Sequence, residues 1–277
     1  MTTDDHWTPT AAKIRPPSDE YFALYALHYA SRTGKREQHF HYCDGRGAQP
    51  HPTAYYVWLA VSKSHTVMID AGISPETAAG MDGLEYNGSP LDLVRALGID
   101  PTEIDIAVLT HLHYDHTGVV ASIPHARYVV QAQELEYWTG PVARRIVREH
   151  WLHSEKDVAH ISSDPGRLQL VDGDVELLPG LSVHLVGGHT AGMQVVRIKT
   201  ATGHAVVASD ASHYYENIED DSPFAILHDM PGMYFAFDRI NELAEGPWLV
   251  VPGHDPAVAD RHDRFTAIPD AHAIVIA

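Results

Sequence analysis

The chain has 277 residues, 44% of them hydrophobic, and 19 Lys and Arg against 37 Asp and Glu give a formal net charge of −18. A surface that acidic repels phosphate backbones and anionic lipid headgroups, which excludes nucleic acid and membrane surfaces as expected partners. The first residues lack a basic stretch followed by an apolar one, and no apolar run reaches the ~18 residues of a membrane helix, so the expected location is cytoplasmic.

No repeat, low-complexity tract or linker divides the chain, which reads as one domain over residues 1–277 with a polar, Pro-containing peripheral segment at 1–18. Residues 55–61 (Tyr-Tyr-Val-Trp-Leu-Ala-Val) predict a buried strand, and residues 66–70 a second that ends at Ala71-Gly72. Ser89 is placed as an N-cap with Pro90 at the first helical position; Leu91, Val94 and Leu97 form the apolar stripe, and Gly98 marks the stop. A strand over 104–109 follows, then one over 127–130, then a helix from Gln133 that extends irregularly through His160. Within it Tyr137-Trp138 reads as core rather than as a substrate contact. Further strands are expected at 168–171, 175–178, 182–186, 194–199 and 204–209, a helix at 234–244, and a last core strand at 248–251. This order lacks the strict βαβ alternation of a doubly wound sheet. The simplest packing is an α/β fold of two mixed β-sheets face to face with helices outside.

The strand over 104–109 runs into Thr110-His111-Leu112-His113-Tyr114-Asp115-His116-Thr117-Gly118. In an extended segment residues i and i+2 point to the same side, so His111 and His113 can share one metal ion. Asp115 and His116, adjacent in the bend that follows, can face a second ion beside it. Three imidazoles and a carboxylate suit Zn2+, and Mn2+, Fe2+ or Co2+ also fit. A solvated, histidine-rich loop is the bland alternative; four donors at this spacing directly after an apolar strand argue against it. The single cysteine, Cys43, rules out a thiolate cluster and an intrachain disulfide. There is no Gly-x-Ser-x-Gly elbow, no phosphate-cradling glycine loop and no Cys–His nucleophile pattern. Other histidines, His39, His51 and His153 among them, show no ligand spacing.

The His-x-His-x-Asp-His run resembles the signature of the metallo-β-lactamase superfamily, in which further His, Asp and His ligands follow. Matching positions stand at Gly187-Gly188-His189-Thr190-Ala191-Gly192 after the strand at 182–186, at Asp210 after the strand at 204–209, and at His254 after the last core strand. The glycines beside His189 are expected to let the backbone approach the site closely. The resemblance implies a four-layer αββα sandwich and two Zn2+ per chain. In that arrangement His111, His113 and His189 hold one ion, Asp115, His116 and His254 hold the other, and Asp210 bridges them. Asp70 and Gly72 match the strand–Asp-x-Gly element of the superfamily, which implies that Asp70 orients a ligand histidine, with a simple turn aspartate as the alternative.

Within the superfamily the chain is similar to the N-acyl homoserine lactonase-like branch, through the helix before the motif, the Gly-His-Thr-x-Gly segment and Asp210-Ala-Ser-x-x-x-Glu216-Asn217. One departure stands out. That branch places a tyrosine three residues after the bridging aspartate, whereas this chain has His213, followed by Tyr214 and Tyr215. Either His213 itself or Tyr214, shifted by one residue, is expected to donate to the substrate carbonyl. The implied activity is a metal-dependent hydrolase that opens a lactone, or related cyclic ester, by attack of a metal-bridging hydroxide, with Asp115 passing a proton to the leaving alkoxide. Its partner is a small-molecule lactone, and the assembly considered is a homodimer. A thioester hydrolase of the hydroxyacylglutathione type would use the same metals but calls for a basic patch that the acidic chain does not show. A persulfide dioxygenase-like oxidoreductase would hold one Fe2+ on two His and one Asp. A metal-binding protein without catalysis would lack turnover on any activated lactone.

Overall fold

The computed structural model describes residues 8–10 and 13–277. The first sheet contains β1 (Ala23–Lys35), β2 (Pro50–Val61), β3 (Thr66–Ile69), the short β4 (Glu85–Tyr86), β5 (Ile106–Val108), β6 (Arg127–Gln131) and β7 (Leu168–Val171). The second contains β8 (Val175–Leu178), β9 (Leu181–Leu185), β10 (Gln194–Thr200), β11 (Gly203–Ser209) and β12 (Val250–Pro252). The chain then returns to the first sheet with β13 (Asp263–Arg264) and β14 (Ala273–Val275). The strand orders are β13-β14-β1-β2-β3-β5-β6-β7, with β4 paired to β1, and β12-β11-β10-β9-β8. Both sheets are mixed. The β3-β5-β6-β7 run and the β11-β12 pair are parallel, and the other pairs are antiparallel.

Strand periodicity explains the layering. Along β2, Tyr56, Trp58 and Ala60 join the core between the sheets, whereas Val57, Leu59 and Val61 join the core under the outer helices of the first sheet. A strand buried on both faces reads as a continuous apolar run instead of an alternating one. Leu24, Ala26, Trp58, Ile69 and Val108 meet Leu181, Val183, Val196, Ile198 and Val251 across the sheet interface. Helices α1 (Pro75–Ala79), α2 (Pro90–Ala96), α3 (Tyr114–Thr117), α4 (Ala132–Thr139) and α5 (Glu155–Ser163) follow strands of the first sheet. The short α6 (Tyr215–Glu219) follows β11, α7 (Met230–Leu243) follows it, and α8 (Val258–Arg261) follows β12. Ala236, Ile240 and Leu243 of α7 cover Met193, Val195, Val206 and Ala208 on the outer face of the second sheet. The result is the expected αββα sandwich.

Four expectations need correction. The sequence reading omits β1, the longest strand, because residues 22–30 are apolar on both faces and so carry neither strand nor helix periodicity. The helix expected over 133–160 is broken after α4 at Gly140-Pro141, continues as 3-10 turns at Ala143–Arg145 and Val147–Leu152, and resumes as α5. Helix α7 starts at Met230 because the Asp229 side chain accepts from Gly232 N at 2.9 Å and Pro231 occupies its first turn. Trp248 belongs to a 3-10 turn and is 64% exposed, so the last central strand begins only at Val250.

Residues 1–7, 11 and 12 of the expected peripheral segment lie outside the described residues. Its later part is tied down: Ile14 is buried, and Arg15 donates to the carbonyls of Ser62 and His65 and, at 2.6 Å, to Thr66 Oγ1. Among the described residues, no helix is long and apolar enough to cross a membrane.

Candidate metal centre

The carboxyl ends of β3, β5, β9, β11 and β12 open on one edge of the sandwich, and each delivers polar side chains there. Asp70 follows β3, His111 and His113 follow β5, His189 follows β9, Asp210 follows β11 and His254 follows β12. His113 is the N-cap of α3, a one-turn helix that carries Asp115 and His116. The structure brings all seven candidate ligands together. His111, His113, His189 and Asp210 place ligand atoms within 4.8 Å of one another, and so do Asp115, His116 and His254. Asp210 lies between the two groups, with Oδ2 3.8 Å from His111 Nε2 and 3.4 Å from His189 Nε2, and Oδ1 3.3 Å from His116 Nε2 and 3.1 Å from His254 Nε2. Every member is buried except Asp115, which is partly exposed.

For four of the imidazoles the far side fixes which nitrogen faces the cluster, whereas His113 turns Nδ1 inward, 3.1 Å from His189 Nε2. His116 Nδ1 lies 2.8 Å from Asp70 Oδ2, His189 Nδ1 lies 2.9 Å from Ile226 O, and His254 Nδ1 lies 2.9 Å from Ala54 O. His111 Nδ1 lies 3.1 Å from Thr110 Oγ1, whose hydroxyl is also 2.9 Å from the Asp70 carboxylate. A neutral imidazole donates from one nitrogen only, so an Nδ1–H spent on an acceptor leaves Nε2 as a bare lone pair aimed into the cluster. His111 Nε2, His116 Nε2 and Asp210 Oδ1 are buried without a hydrogen-bond partner. Buried acceptors that converge in this way are costly unless a cation satisfies them. The donor set of imidazoles and carboxylates fits zinc and its first-row neighbours.

Asp70 gives this site its frame. Its carboxylate accepts from Thr110 N at 2.8 Å, Thr110 Oγ1 at 2.9 Å and Ser209 Oγ at 2.8 Å, in addition to meeting His116. Asp70 and Ser209 both take positive φ, 59° and 46°, a strained conformation for non-glycine residues that clusters at functional sites. Glu134, which the sequence reading passes over, is a second buried anchor. It accepts from Leu112 N at 3.0 Å, Gly192 N at 2.7 Å and Trp138 Nε1 at 2.8 Å, and so ties the His111–His113 loop to the His189 loop. Burial pushes its carboxyl up from the usual value, against the pull of those donors. Its signal in the sequence was weak, a lone acid in the first turn of α4. Trp138 is core, as expected, and its ring lies edge-on to His113 at 5.6 Å.

The glycines around His189 act differently from the expectation. A Cβ on Gly188, at φ +80°, would strike Met233 N of α7 at 2.8 Å, and a Cβ on Gly192 would strike the backbone of Glu134 in α4. They let the loop wedge between two helices and do not bring backbone against the cluster.

His213 and Tyr214 have separate places. His213 Nε2 is 2.8 Å from Asp210 Oδ2, close enough to join Asp210 and His254 as a third group of ligand atoms. Its ring lies flat on Phe224, with centroids 3.3 Å apart and 8° between planes, and its buried Nδ1 has no partner. Burial lowers its pKa to about 3, against the pull of Asp210, so the ring is neutral. Tyr214 turns away. Its hydroxyl meets Thr53 Oγ1 at 2.8 Å and His39 Nδ1 at 3.1 Å inside an aromatic cluster with Phe40 and His51.

A cavity of about 250 Å3 stands over the cluster, with His113, Asp115, His189, Asp210, His213 and His254 in its lining. Arg32, His39, Tyr55, Tyr114, Trp151 and Phe224 complete much of the wall, and Tyr214 is not part of it. No wall residue is singled out by the sequence as part of the site. Arg32, His39, Tyr55 and Phe224 come from β1, β2 and the loops at 36–49 and 220–229 and Trp151 from the 3-10 turn at 147–152, none with a local motif. Tyr114 stands within the His-x-His-x-Asp-His run without being a ligand type. A second cavity, of about 310 Å3 and lined by His28, Tyr56, Arg264 and His272, lies apart from the cluster.

Comparison with known proteins agrees with this arrangement. The profile of the metallo-beta-lactamase superfamily matches residues 51–260. An N-acyl homoserine lactonase of Bacillus thuringiensis is 26% identical over 186 residues, which covers 61% of this chain and 68% of that protein. A solved quorum-quenching N-acyl homoserine lactone lactonase superposes with a TM-score of 0.73 at 19% identity, covering 87% of this chain and 95% of the other. AidC, a dizinc quorum-quenching lactonase solved with a product N-acyl homoserine, superposes with a TM-score of 0.65 at 17% identity, covering 86% and 92%.

Proposed function

Because the chain belongs to the metallo-beta-lactamase superfamily, we propose that it is a dinuclear metal-dependent hydrolase that opens a lactone ring by attack of water. The observation that carries this reading is the set of imidazoles that spend Nδ1 on fixed acceptors and turn Nε2 toward the shared carboxylate of Asp210. Curated relatives named N-acyl homoserine lactonases, from Bacillus thuringiensis and Rhizobium johnstonii among others, favour a lactone over other esters.

His111, His113 and His189 would hold one ion, Asp115, His116 and His254 the other, and Asp210 both; zinc is the default metal. Bound there, the ions lower the pKa of water toward neutrality and polarise a carbonyl oxygen. The protein's own groups do the rest. Asp70, through His116 Nδ1, keeps that ring in the tautomer and orientation a ligand needs. Asp115, partly exposed in the cavity wall, takes a proton on its carboxylate and returns it to the ring oxygen as the C–O bond breaks. His213, neutral and braced by Phe224, lines the cavity with Nε2 2.8 Å from Asp210 Oδ2; with Asp210 engaged by bound ions, that N–H would turn to the developing oxyanion. Tyr55, whose ring packs edge-on to His254 at 5.0 Å, adds an apolar wall to the cavity.

Metal-replete protein assayed on a panel of lactones, thioesters and cyclic amides, with products identified by mass, tests the reading. Hydroxy acids from the lactones, lost on chelation and restored by zinc, are the expected result. Faster turnover of thioesters would replace the lactonase reading with the thioesterase one.

A further inference from the structure

The wall of the cavity contains one positive charge. Arg32, on β1 opposite Thr53 of β2, lines it and is partly buried. Its guanidinium forms no hydrogen bond or ion pair among the described residues. Arg127, Arg145 and Arg264 also lack such a partner among the described residues but are exposed. The arginines buried to a similar degree or more are engaged: Arg36 with Glu216, Arg15 with the Ser62 and His65 carbonyls, Arg167 with the Ile123 and Ala126 carbonyls and Arg197 with the Leu243 carbonyl. Asp115 shares the wall with Arg32, yet its oxygens face His116 Nε2 at 3.7 Å and His254 Nε2 at 3.8 Å and leave Arg32 alone. An unpaired guanidinium beside a ligand cavity offers a planar set of donors matched to a carboxylate.

The cavity also limits size and shape. At about 250 Å3 it is smaller than the ~300–1,000 Å3 typical of small-molecule sites. Tyr55, Tyr114, Trp151 and Phe224 supply flat aromatic walls. A compact ring fits such a space, and a long flexible acyl chain would have to extend beyond these walls.

We infer that the substrate class is a compact lactone bearing an anionic oxygen, with the lactone carbonyl over the His–Asp cluster and the anion held by Arg32. This rests on the lactonase reading and narrows it. Arg32 is a specificity residue here, placed to bind the substrate without touching the bond that breaks.

Phthalide and a carboxyphthalide, a matched pair of compact aromatic lactones that differ by one carboxylate, test the inference with the metal-replete full chain. Wild-type protein should favour the carboxylated lactone in kcat/KM by tenfold or more, mainly through KM. Arg32→Gln should bring that ratio close to one, and Arg32→Lys should leave it intermediate, since an ammonium keeps the charge and loses the fork. A wild-type ratio near one, or a ratio unchanged in Arg32→Gln because both substrates weaken alike, would overturn it. Binding of the corresponding lactams, followed by calorimetry, separates this inference from the lactonase reading. If the carboxylated lactam binds at least tenfold more weakly to Arg32→Gln while no lactone is opened, the anion site stands and the lactonase reading falls. If lactones are opened but lactam binding ignores Arg32, the anion site falls and the lactonase reading stands.

Discussion

Asp70 and His116 meet through Oδ2 and Nδ1 at 2.8 Å, across the gap between the end of β3 and the helical turn after β5, and both side chains are buried. The same carboxylate holds Thr110 and Ser209, so one residue orients a candidate ligand and fastens the loops that carry two others, His111 and Asp210. Asp70→Asn places an amide where a carboxylate accepted four donors. We expect metal affinity to fall about 10–100-fold, measured by competition with a chromogenic chelator, with the fold retained by circular dichroism.

His213 and Tyr214 are distinguished by what their polar atoms face. His213→Ala removes the donor at Asp210 and the cavity, and kcat should fall about 10²-fold or more. Tyr214→Phe removes a hydroxyl bonded to Thr53 and His39 behind the wall; it should cost about 1 kcal/mol of stability and little turnover. Kinetics and denaturant melts on the two variants check both statements, and the reverse pattern would return the oxyanion role to Tyr214.

Glu134 holds three buried N–H groups from separate segments. Glu134→Ala leaves all three without an acceptor. At roughly 1–3 kcal/mol for each, the loss should be about 3 kcal/mol or more, read as a lowered midpoint in urea. The larger part of the effect should appear even in protein stripped of metal, because Glu134 touches no candidate ligand atom.

Seven side chains from four parts of the chain converge at the proposed centre, and ions bound only to the native state stabilise it by mass action. Exhaustive chelation should therefore lower Tm, and stoichiometric zinc should restore it. Superposable melting curves with and without metal would contradict the assignment of these residues as ligands.

The candidate ligands were legible because they follow apolar strands at short, regular spacing: His111 and His113 two apart, Asp115 and His116 adjacent, and His189, Asp210 and His254 each past a strand end. The layering was legible for a related reason, since runs such as residues 55–61 are apolar on both faces and must lie inside. The same property concealed β1, because Phe22 to Ala30 offers no period to read, and with β1 went Arg32. Glu134, Tyr55 and Phe224 were invisible for another reason: each acts across the chain, on Gly192, His254 and His213 respectively, and no local pattern encodes a contact of that range. The glycines beside His189 are visible in the sequence but their role is not, since only the packed helices α4 and α7 show what a Cβ would strike.

The central claim is that this His–Asp cluster holds two metals and hydrolyses a lactone. Turnover of a compact lactone in H2(18)O, by protein titrated with zinc from zero to three equivalents, tests it most directly. The account predicts one 18O atom in the carboxylate of the ring-opened hydroxy acid, no consumption of dioxygen, and activity that reaches its plateau at two equivalents per chain. Full activity at one equivalent, or a product whose new oxygen comes from dioxygen, would contradict it.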